Sequence, residues 1–187
     1  MIFTEVDAVP GAWVIEPERV ADERGWFART YAAAEFAARG LSTEIVQVSS
    51  SFNAQAGTLR GMHLQRAPHG EAKLIRCTAG RVFDVMVDVR AGTPTFGRWA
   101  AFELDPGSGR AVYLPAGVAH GFVTLADGSE LTYQIDAPYV AEAGAGFRWD
   151  DPDAGIAWPL QPTVISARDR ELPPLAGLAG ADAGVHQ

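Results

Sequence analysis

The chain has little of what disulfide-bonded, membrane and nucleic-acid-binding proteins need. Cys77 is the only cysteine, which excludes an internal disulfide and a cysteine-based zinc site. No apolar run approaches the roughly 18 residues of a membrane span, and the first residues lack the basic and apolar regions of a signal peptide. A net charge of -8 argues against broad contact with nucleic acid or a membrane surface, since both need a positive field. The sequence therefore predicts a cytoplasmic protein that binds neither.

Lysine is equally scarce, because Lys73 is the only lysine among 15 basic residues. A lone lysine in an arginine-rich chain is either a chance of composition or a site that needs a compact ammonium with a tunable pKa. The same short segment carries Arg60, Arg66 and Arg76. It forms a small positive zone in an acidic protein, which suits a compact anion such as a diphosphate.

The length of 187 residues fits one hydrophobic core, and no long polar linker divides the chain. We expect a single domain over residues 1–175 and a frayed tail over residues 176–187. From about residue 44 to about residue 136, period-2 patterns rich in Val, Ile, Phe, Thr and Tyr predict about eight strands between turn signals. This spacing predicts an all-β protein of the jelly-roll type, as a barrel or sandwich with a few short helices.

Local patterns add detail to this fold. In RVFDVMVDVR, the alternate apolar residues from Phe83 to Val89 share one face and are expected to fill the core, with Asp84 and Asp88 on the other face. AAAEFAAR predicts one helix, with Gly40 at its C-terminal end. After residue 140 the Trp-, Pro- and Asp-rich sequence predicts an irregular segment packed over the barrel.

The stretch TLRGMHLQ at residues 58–65 leaves three interpretations for His63: a metal ligand, a general base or a hydrogen-bonded core residue. In an H-x-H metal motif the second histidine would stand where this chain has Gln65. Only His120, in PAGVAHGF, matches a later histidine motif, and Glu71 would be the remaining ligand. Stable transition-metal sites use three or four protein donors, so we predict no metal.

Without a metal, His63 is a candidate general base that a carboxylate can hold in place. Asp169 in ISARD is the best candidate for that carboxylate. Gly61 falls on the same face as His63 and leaves room for something to approach. Arg60 has the opposite parity, so a role for it requires a bulge or a strand end.

Tyr133 in ELTYQI shares a face with Leu131 and Ile135, so we expect it to point into the barrel. It is either a packing residue with a satisfied hydroxyl or a proton donor. A phenol opposite a histidine base would suit the inversion of a carbon centre, in which one face loses a proton and the other gains one.

A run of motifs resembles one known family over about residues 5–172. The motifs, in chain order, are DERGWFAR, GTLRGMHLQRAPHGEAKLIRCTAGRVFDVMVDVR, PTFGRWAAFEL, YLPAGVAHGF, WDDPDAGIAWP and ISARD. They resemble the dTDP-4-dehydrorhamnose 3,5-epimerase family of metal-free cupins. The resemblance implies a cupin jelly roll that needs no cofactor. It also implies an epimerase that inverts C3 and/or C5 of a nucleotide-diphosphate-linked 4-keto-6-deoxyhexose.

The resemblance also implies roles for individual residues. His63 would remove the proton beside the ketone, with Asp169 orienting it. Lys73 would stabilise the enolate oxygen, and Tyr133 would return a proton on the opposite face. The implied substrate-binding residues are Arg24, Phe27, Arg29, Gln47, Arg60, His120 and Tyr139. Arg24 would come from a neighbouring subunit, because the family forms homodimers with exchanged N-terminal segments.

Departures from the family pattern keep several functions open. Arg29 stands where Glu is common, near the nucleotide base, and Glu71 stands where Gln is frequent. The carrier nucleotide and the inverted centres are therefore undetermined. The alternatives are a 3-only or 5-only epimerase, a ketoisomerase, and a non-catalytic barrel that binds a nucleotide sugar.

Overall fold

The computed structural model describes residues 1–179, whose regular secondary structure consists mostly of short strands. The strands are β1 (Ile2–Glu5), β2 (Trp13–Glu16), β3 (Arg19–Asp22), β4 (Gly25–Ala28), β5 (Gln47–Asn53), β6 (Thr58–Gln65), β7 (Lys73–Ala79), β8 (Val82–Asp88), β9 (Trp99–Leu104), β10 (Ala111–Leu114), β11 (Val118–Thr124), β12 (Ser129–Ile135), β13 (Gly144–Gly146) and β14 (Val164–Ile165). The helices are α1 (Ala33–Ala37) and α2 (Ala167–Arg170), with short 3-10 turns at Ala141–Ala143 and Leu175–Gly177. The all-β prediction is confirmed.

Two sheets form the sandwich. The first has the order β1-β2-β10-β7-β12-β5, and the second has the order β13-β6-β11-β8-β9, with β14 parallel to β6. Strands β3 and β4 form a separate hairpin. Strands that are not consecutive in the chain are neighbours in the sheets, and β12, for example, lies between β5 and β7. This order is the pattern of a jelly roll rather than of a simple meander.

The eight predicted strands all exist, as β5 to β12. The four N-terminal strands were not predicted. Strands β3 and β4 are exposed along almost their whole length, so no buried face imposes an alternating pattern on them. Strand β11 begins at Val118, so His120 lies within the strand.

Apolar residues pack in three layers. The middle layer lies between the sheets and joins residues such as Ile75 and Leu131 to Met86 and Phe122. A second layer lies between the outer face of the β6–β11–β8 sheet and the C-terminal segment, which includes Phe147. The third layer covers the other sheet with α1 and the N-terminal strands. The predicted packing of the C-terminal segment over the barrel agrees with the second layer.

Strand β8 corrects one expectation. Val85 and Val87 are buried, but they face the C-terminal segment in the outer layer rather than the space between the sheets. Met86 and Asp84 belong to the opposite, inner face, and Asp84 and Asp88 are also completely buried. A central strand covered on both faces has no solvent side, and contacts with His120 and Arg90 compensate the buried carboxylates of Asp84 and Asp88. Alternation alone could not distinguish the two interiors.

Helix α1 lies within the predicted helical segment and ends as expected. Gly40 has a φ of +70°, which glycine adopts without strain. Its N–H donates to Ala37 O at 3.0 Å, and Leu41 N–H donates to Phe36 O at 3.1 Å. This pair of bonds is a Schellman motif. The Phe36 ring is buried between Phe3, Tyr31 and Tyr113, which anchors the helix despite its short length.

The expected frayed tail, residues 176–187, falls largely outside the described residues. Of the tail residues that the structure describes, 176–179, one is buried. Leu178 is only 4% exposed and belongs to the outer core layer. The N–H of Leu175 donates to the buried carboxylate of Asp151 at 3.0 Å.

Cys77 is buried between the sheets. Burial raises the pKa of its thiol to about 11, so the thiol is protonated and unreactive near neutral pH.

In the described part of the chain, no helix combines the length and the apolar character that crossing a bilayer requires.

Candidate active site

A cavity of about 770 Å³ opens between the two sheets. Strands β5, β7 and β12 line one side, and β6 and β11 line the other, with β14 and α2 at the edge. All four residues predicted to be catalytic line this cavity: His63, Lys73, Tyr133 and Asp169. Four of the residues predicted to bind substrate do so as well: Gln47, Arg60, His120 and Tyr139. The predicted site residues that line the cavity therefore come from both sheets.

An irregularity in β6 brings Arg60 and His63 to the same wall. His63 pairs with His120, whereas Arg60 pairs with Phe122, so β6 has one more residue than β11 between these points. This is the bulge that Arg60 required. Gly61 lies within it at a φ of +137°, and an added Cβ would stand 2.5 Å from Gly121 Cα. The approaching group beside Gly61 is therefore the neighbouring backbone, and only glycine fits.

The His63 ring is held by Asp169. Its Nε2 lies 2.7 Å from Asp169 Oδ1, and the other carboxylate oxygen accepts from Gly61 N at 3.2 Å. Ser166 caps α2 by accepting from Asp169 N at 3.0 Å, which fixes the first turn that carries the aspartate. The predicted contact between residues 106 positions apart is present.

The surroundings of the His63–Asp169 pair determine which of its atoms carry a hydrogen. Burial works to raise the pKa of Asp169, but hydrogen bonds from His63 and the Gly61 amide outweigh it and leave the pKa below its usual value. An ionised carboxylate only accepts hydrogen bonds, so His63 Nε2 carries a hydrogen. In the neutral ring the lone pair is then on Nδ1. His63 is thus prepared to accept a proton through Nδ1.

A second histidine and aspartate lie deeper in the site. His120 Nε2 is 2.7 Å from Asp84 Oδ2, and both side chains are buried. The His120 ring stands edge-on to Tyr133, with the ring centroids 5.9 Å apart. Because Tyr133 belongs to β12 and His120 to β11, this contact spans the two sheets.

Tyr133 faces the cavity from the sheet opposite His63. Burial, reinforced by the nearby charge of Asp84, raises the pKa of its phenol well above the ordinary value. The phenol is therefore protonated at neutral pH and has a hydrogen to donate. The arrangement can deliver a proton from one side of the cavity and remove one from the other.

Lys73 forms an ion pair that the sequence did not reveal. Its Nζ lies 2.8 Å from Glu71 Oε1, with the two side chains 11% and 9% exposed. Gln65 Nε2 donates to the other Glu71 oxygen at 3.0 Å. Glu71 lines the cavity together with Lys73. The ammonium is thus fixed at the wall by a carboxylate that is itself held in place.

Arg168 is a cavity residue that sequence reasoning missed. It stands next to Asp169 in ISARD, and this adjacency was the only available signal. Arg60 supplies a second guanidinium, whose Nε donates to Asn53 Oδ1 at 2.8 Å. Gln47 donates from Nε2 to Ala137 O at 2.9 Å, which ties β5 to the segment before Tyr139.

Three predicted binding residues do not line the cavity of this chain. Arg24, Phe27 and Arg29 lie on or just after the β3–β4 hairpin, and all are exposed. Arg24 pairs with Asp22 within the same turn. Their roles with the substrate stay predictions, and that of Arg24 was predicted for a neighbouring subunit.

Metal-donor side chains are not gathered in this site. Within residues 1–179, no three His, Cys, Asp or Glu side chains are arranged to hold a metal ion. His63 and His120 each direct Nε2 at an aspartate instead.

The fold and the site define a jelly-roll protein whose cavity carries a histidine–aspartate pair, a lysine and a tyrosine. Comparison with known proteins agrees. A family model described as dTDP-4-dehydrorhamnose 3,5-epimerase matches residues 7–177. A protein of that name from Sinorhizobium fredii is 43% identical over 166 residues, which cover 88% of this chain and 85% of the relative. The chain belongs to the dTDP-4-dehydrorhamnose 3,5-epimerase family, a family of isomerases.

Solved structures support the same assignment. The enzyme of that name from Elizabethkingia anophelis superimposes with a TM-score of 0.90 at 34% identity, covering 95% of this chain and 97% of the other. A 3'-monoepimerase from Streptomyces bikiniensis, in complex with dTDP-quinovose, gives a TM-score of 0.85 at 36% identity, covering 92% and 88%. The cupin jelly-roll prediction is confirmed. Proteins similar to this chain therefore include enzymes named for one centre as well as for two.

Proposed function

We propose that this protein inverts C3 and C5 of a 4-keto-6-deoxyhexose linked to dTDP. One observation carries the proposal: His63, held by Asp169, and the protonated phenol of Tyr133 line one cavity from opposite sheets. Inversion needs a base on one face of the sugar ring and an acid on the other. The name of the family supports the substrate class.

His63 Nδ1 removes the proton from the carbon beside the ketone. Such a proton is too weakly acidic for imidazole to remove unaided, and each pK unit of mismatch costs about 1.4 kcal/mol. The Lys73 ammonium donates a hydrogen bond to the ketone oxygen and stabilises the negative charge that develops there. Its contact with Glu71 keeps it at the wall before substrate arrives.

Tyr133 then donates its hydroxyl hydrogen to the same carbon from the opposite face. The enolate collapses to the ketone, the carbon is inverted, and the enzyme is left with a protonated His63 and a Tyr133 phenolate. Exchange with water returns one proton to the phenol and takes one from the imidazole. The second carbon flanking the ketone can react in the same way after the sugar ring shifts.

Two arginines are suited to the diphosphate. Arg60 and Arg168 both line the cavity, and guanidinium groups bind phosphate oxygens in a bidentate manner. Gln47 and Tyr139 lie at the same cavity wall and would contact the nucleotide or the sugar.

We infer that a homodimer completes the site. Val20 and Phe27 on the β3–β4 hairpin are each 73% exposed, and Val48 and Phe52 on β5 are also exposed. Apolar side chains concentrated on a hairpin and a sheet edge favour burial against another chain. Exchange of the hairpins would bring Arg24 of the partner subunit to the diphosphate. Light scattering should give twice the chain mass, and a monomer would contradict the exchange.

Inversion of a single centre is the second candidate. It is favoured by a dTDP-4-dehydrorhamnose 3-epimerase from Streptomyces niveus, which is 39% identical over 178 residues covering 95% of this chain and 84% of the relative. The cavity residues described here serve either outcome.

The cytoplasmic location stays a prediction.

The experiment uses dTDP-4-keto-6-deoxyglucose in heavy water, with the C3 and C5 proton signals followed by NMR. We expect both signals to disappear as deuterium enters. Loss at one carbon would support the single-centre enzyme. Tight binding without any exchange would contradict catalysis and support a nucleotide-sugar-binding barrel.

Tyr133→Phe should slow inversion more than it slows exchange, because removal of the proton by His63 is intact.

A further inference from the structure

The Lys73–Glu71 pair gives the cavity an uneven charge distribution. Three basic side chains line the cavity: Arg60, Lys73 and Arg168. Among residues 1–179, Lys73 is the one of these three that has a carboxylate within ion-pair distance, at 2.8 Å. The positive charge at this wall is therefore compensated, whereas the charges of the two arginines are available to an anion.

Glu71 cannot easily turn away from Lys73. Its second oxygen accepts from Gln65 Nε2, and Gln65 Oε1 accepts from Val140 N at 2.6 Å. The amide nitrogen of Gln65 also lies 3.1 Å from the carbonyl oxygens of His69 and Pro138. Gln65 is itself buried, so this network holds the carboxylate facing both Lys73 and the cavity.

We propose that Glu71 is a specificity-determining residue, which makes the wall around Lys73 select an uncharged sugar oxygen and reject a carboxylate. An ammonium has three hydrogens to donate, and one is directed at Glu71. The others can bind a ketone or hydroxyl oxygen. A substrate carboxylate at the same place would gain attraction from Lys73 but meet repulsion from Glu71 a few ångströms further away.

This inference rests on the proposed function, because it assumes that Lys73 contacts the oxygen at C4 of a hexose. In a hexuronate, the C6 carboxylate is attached to C5, the carbon next to C4, and so it would lie close to the same wall. A neutral hexose and the corresponding hexuronate therefore form a probe pair that differs by one charge near Glu71.

The test measures dissociation constants of dTDP-glucose and dTDP-glucuronate by calorimetry. The wild-type protein should prefer the neutral ligand, and Glu71→Gln should reduce the preference about tenfold, since it removes one negative charge in a poorly solvated cavity. Glu71→Asp keeps the charge and should keep the preference. Glu142→Gln removes an exposed acid outside the cavity lining and should leave the preference unchanged.

A ratio of the two constants that is the same in Glu71→Gln as in the wild type would overturn the assignment, and so would an equal shift in Glu142→Gln. A structural role for Glu71 would weaken both ligands together and leave the ratio unchanged. The measurement does not involve turnover. If the ratio shifts while no deuterium enters at C3 or C5, the proposed reaction fails and the role of Glu71 stands.

Discussion

Two histidines in this cavity make the same contact with an aspartate in different surroundings. The Nε2 atoms of His63 and His120 each lie 2.7 Å from a carboxylate oxygen, on Asp169 and Asp84 respectively. The His63 side chain is 38% exposed, whereas that of His120 is 7% exposed. One ring is thus presented to the open cavity, and the other is largely enclosed by protein.

The origins of the two aspartates differ as well. Asp84 comes from β8, the strand that pairs directly with the strand of His120. Asp169 comes from α2, a separate short helix that packs on β6. The His120 pair is therefore part of sheet formation, while the His63 pair depends on a segment that docks from outside. A histidine–aspartate contact alone does not identify a base, because access to substrate must accompany it.

The largest expected effect separates the two histidines by function. Replacing His63 by Ala should slow deuterium entry at C3 and C5 by about 10³-fold, since it removes the proton acceptor. His120 cannot substitute, because its ring is enclosed and held by Asp84. His69→Ala is the matched control, since His69 is exposed and outside the cavity lining. Comparable exchange rates in the two variants would remove His63 from the mechanism.

The next effect concerns the aspartate of the exposed pair. Asp169→Asn should slow exchange roughly 100-fold, because the amide no longer fixes the hydrogen on His63 Nε2 and the lone pair on Nδ1. Binding of dTDP should change little, since the cavity shape is preserved. Calorimetry with dTDP and the NMR exchange rate together test this, and a loss of binding equal to the loss of rate would contradict an orienting role.

The buried pair should respond in the opposite way. Asp84 is completely buried and its Oδ1 has no hydrogen-bond partner within the described residues, so His120 is its main compensation. Asp84→Asn should lower the free energy of unfolding by about 2 kcal/mol and slow exchange less than tenfold. Urea denaturation measures the first quantity, with the exposed Asp153→Asn as control. A stable protein with greatly reduced exchange would reverse the comparison.

The sequence predicted the parts of this site that local patterns encode. Alternation predicted that Tyr133 points into the sandwich, and the parity of Arg60 required the bulge that β6 contains. Asp169 in ISARD was named as the carboxylate for His63, and the family resemblance implied the same role. Each of these predictions depends on strand periodicity or on a motif, and both are readable along the chain.

Other features depend on packing between distant segments, which a single sequence does not encode locally. The two-sided burial of β8 follows from the C-terminal segment that covers Val85 and Val87. Glu71 contacts Lys73 because β7 begins at Lys73, and the side chain of this first strand residue enters the cavity. Arg168 enters the site only because α2 docks on β6.

The smallest expected effect is the pH dependence of stability that Asp169 contributes. The bonds from His63 and Gly61 outweigh burial and hold the pKa of Asp169 below its usual value. The folded state therefore favours the carboxylate, and this stabilisation is complete above the unfolded pKa of about 3.9. It is lost as the pH falls from there through the lower folded pKa.

The comparison of wild type with Asp169→Asn isolates this contribution, because the other carboxyls with lowered pKa values, such as Asp88, are present in both proteins. Urea unfolding across acidic pH should show a steeper loss of stability for the wild type below about pH 4. The difference in slope is at most about 1.4 kcal/mol per pH unit, the value for one proton. Parallel curves would mean that the carboxylate of the exposed pair is not stabilised in the folded state, and the case for a fixed His63 tautomer would fail with it.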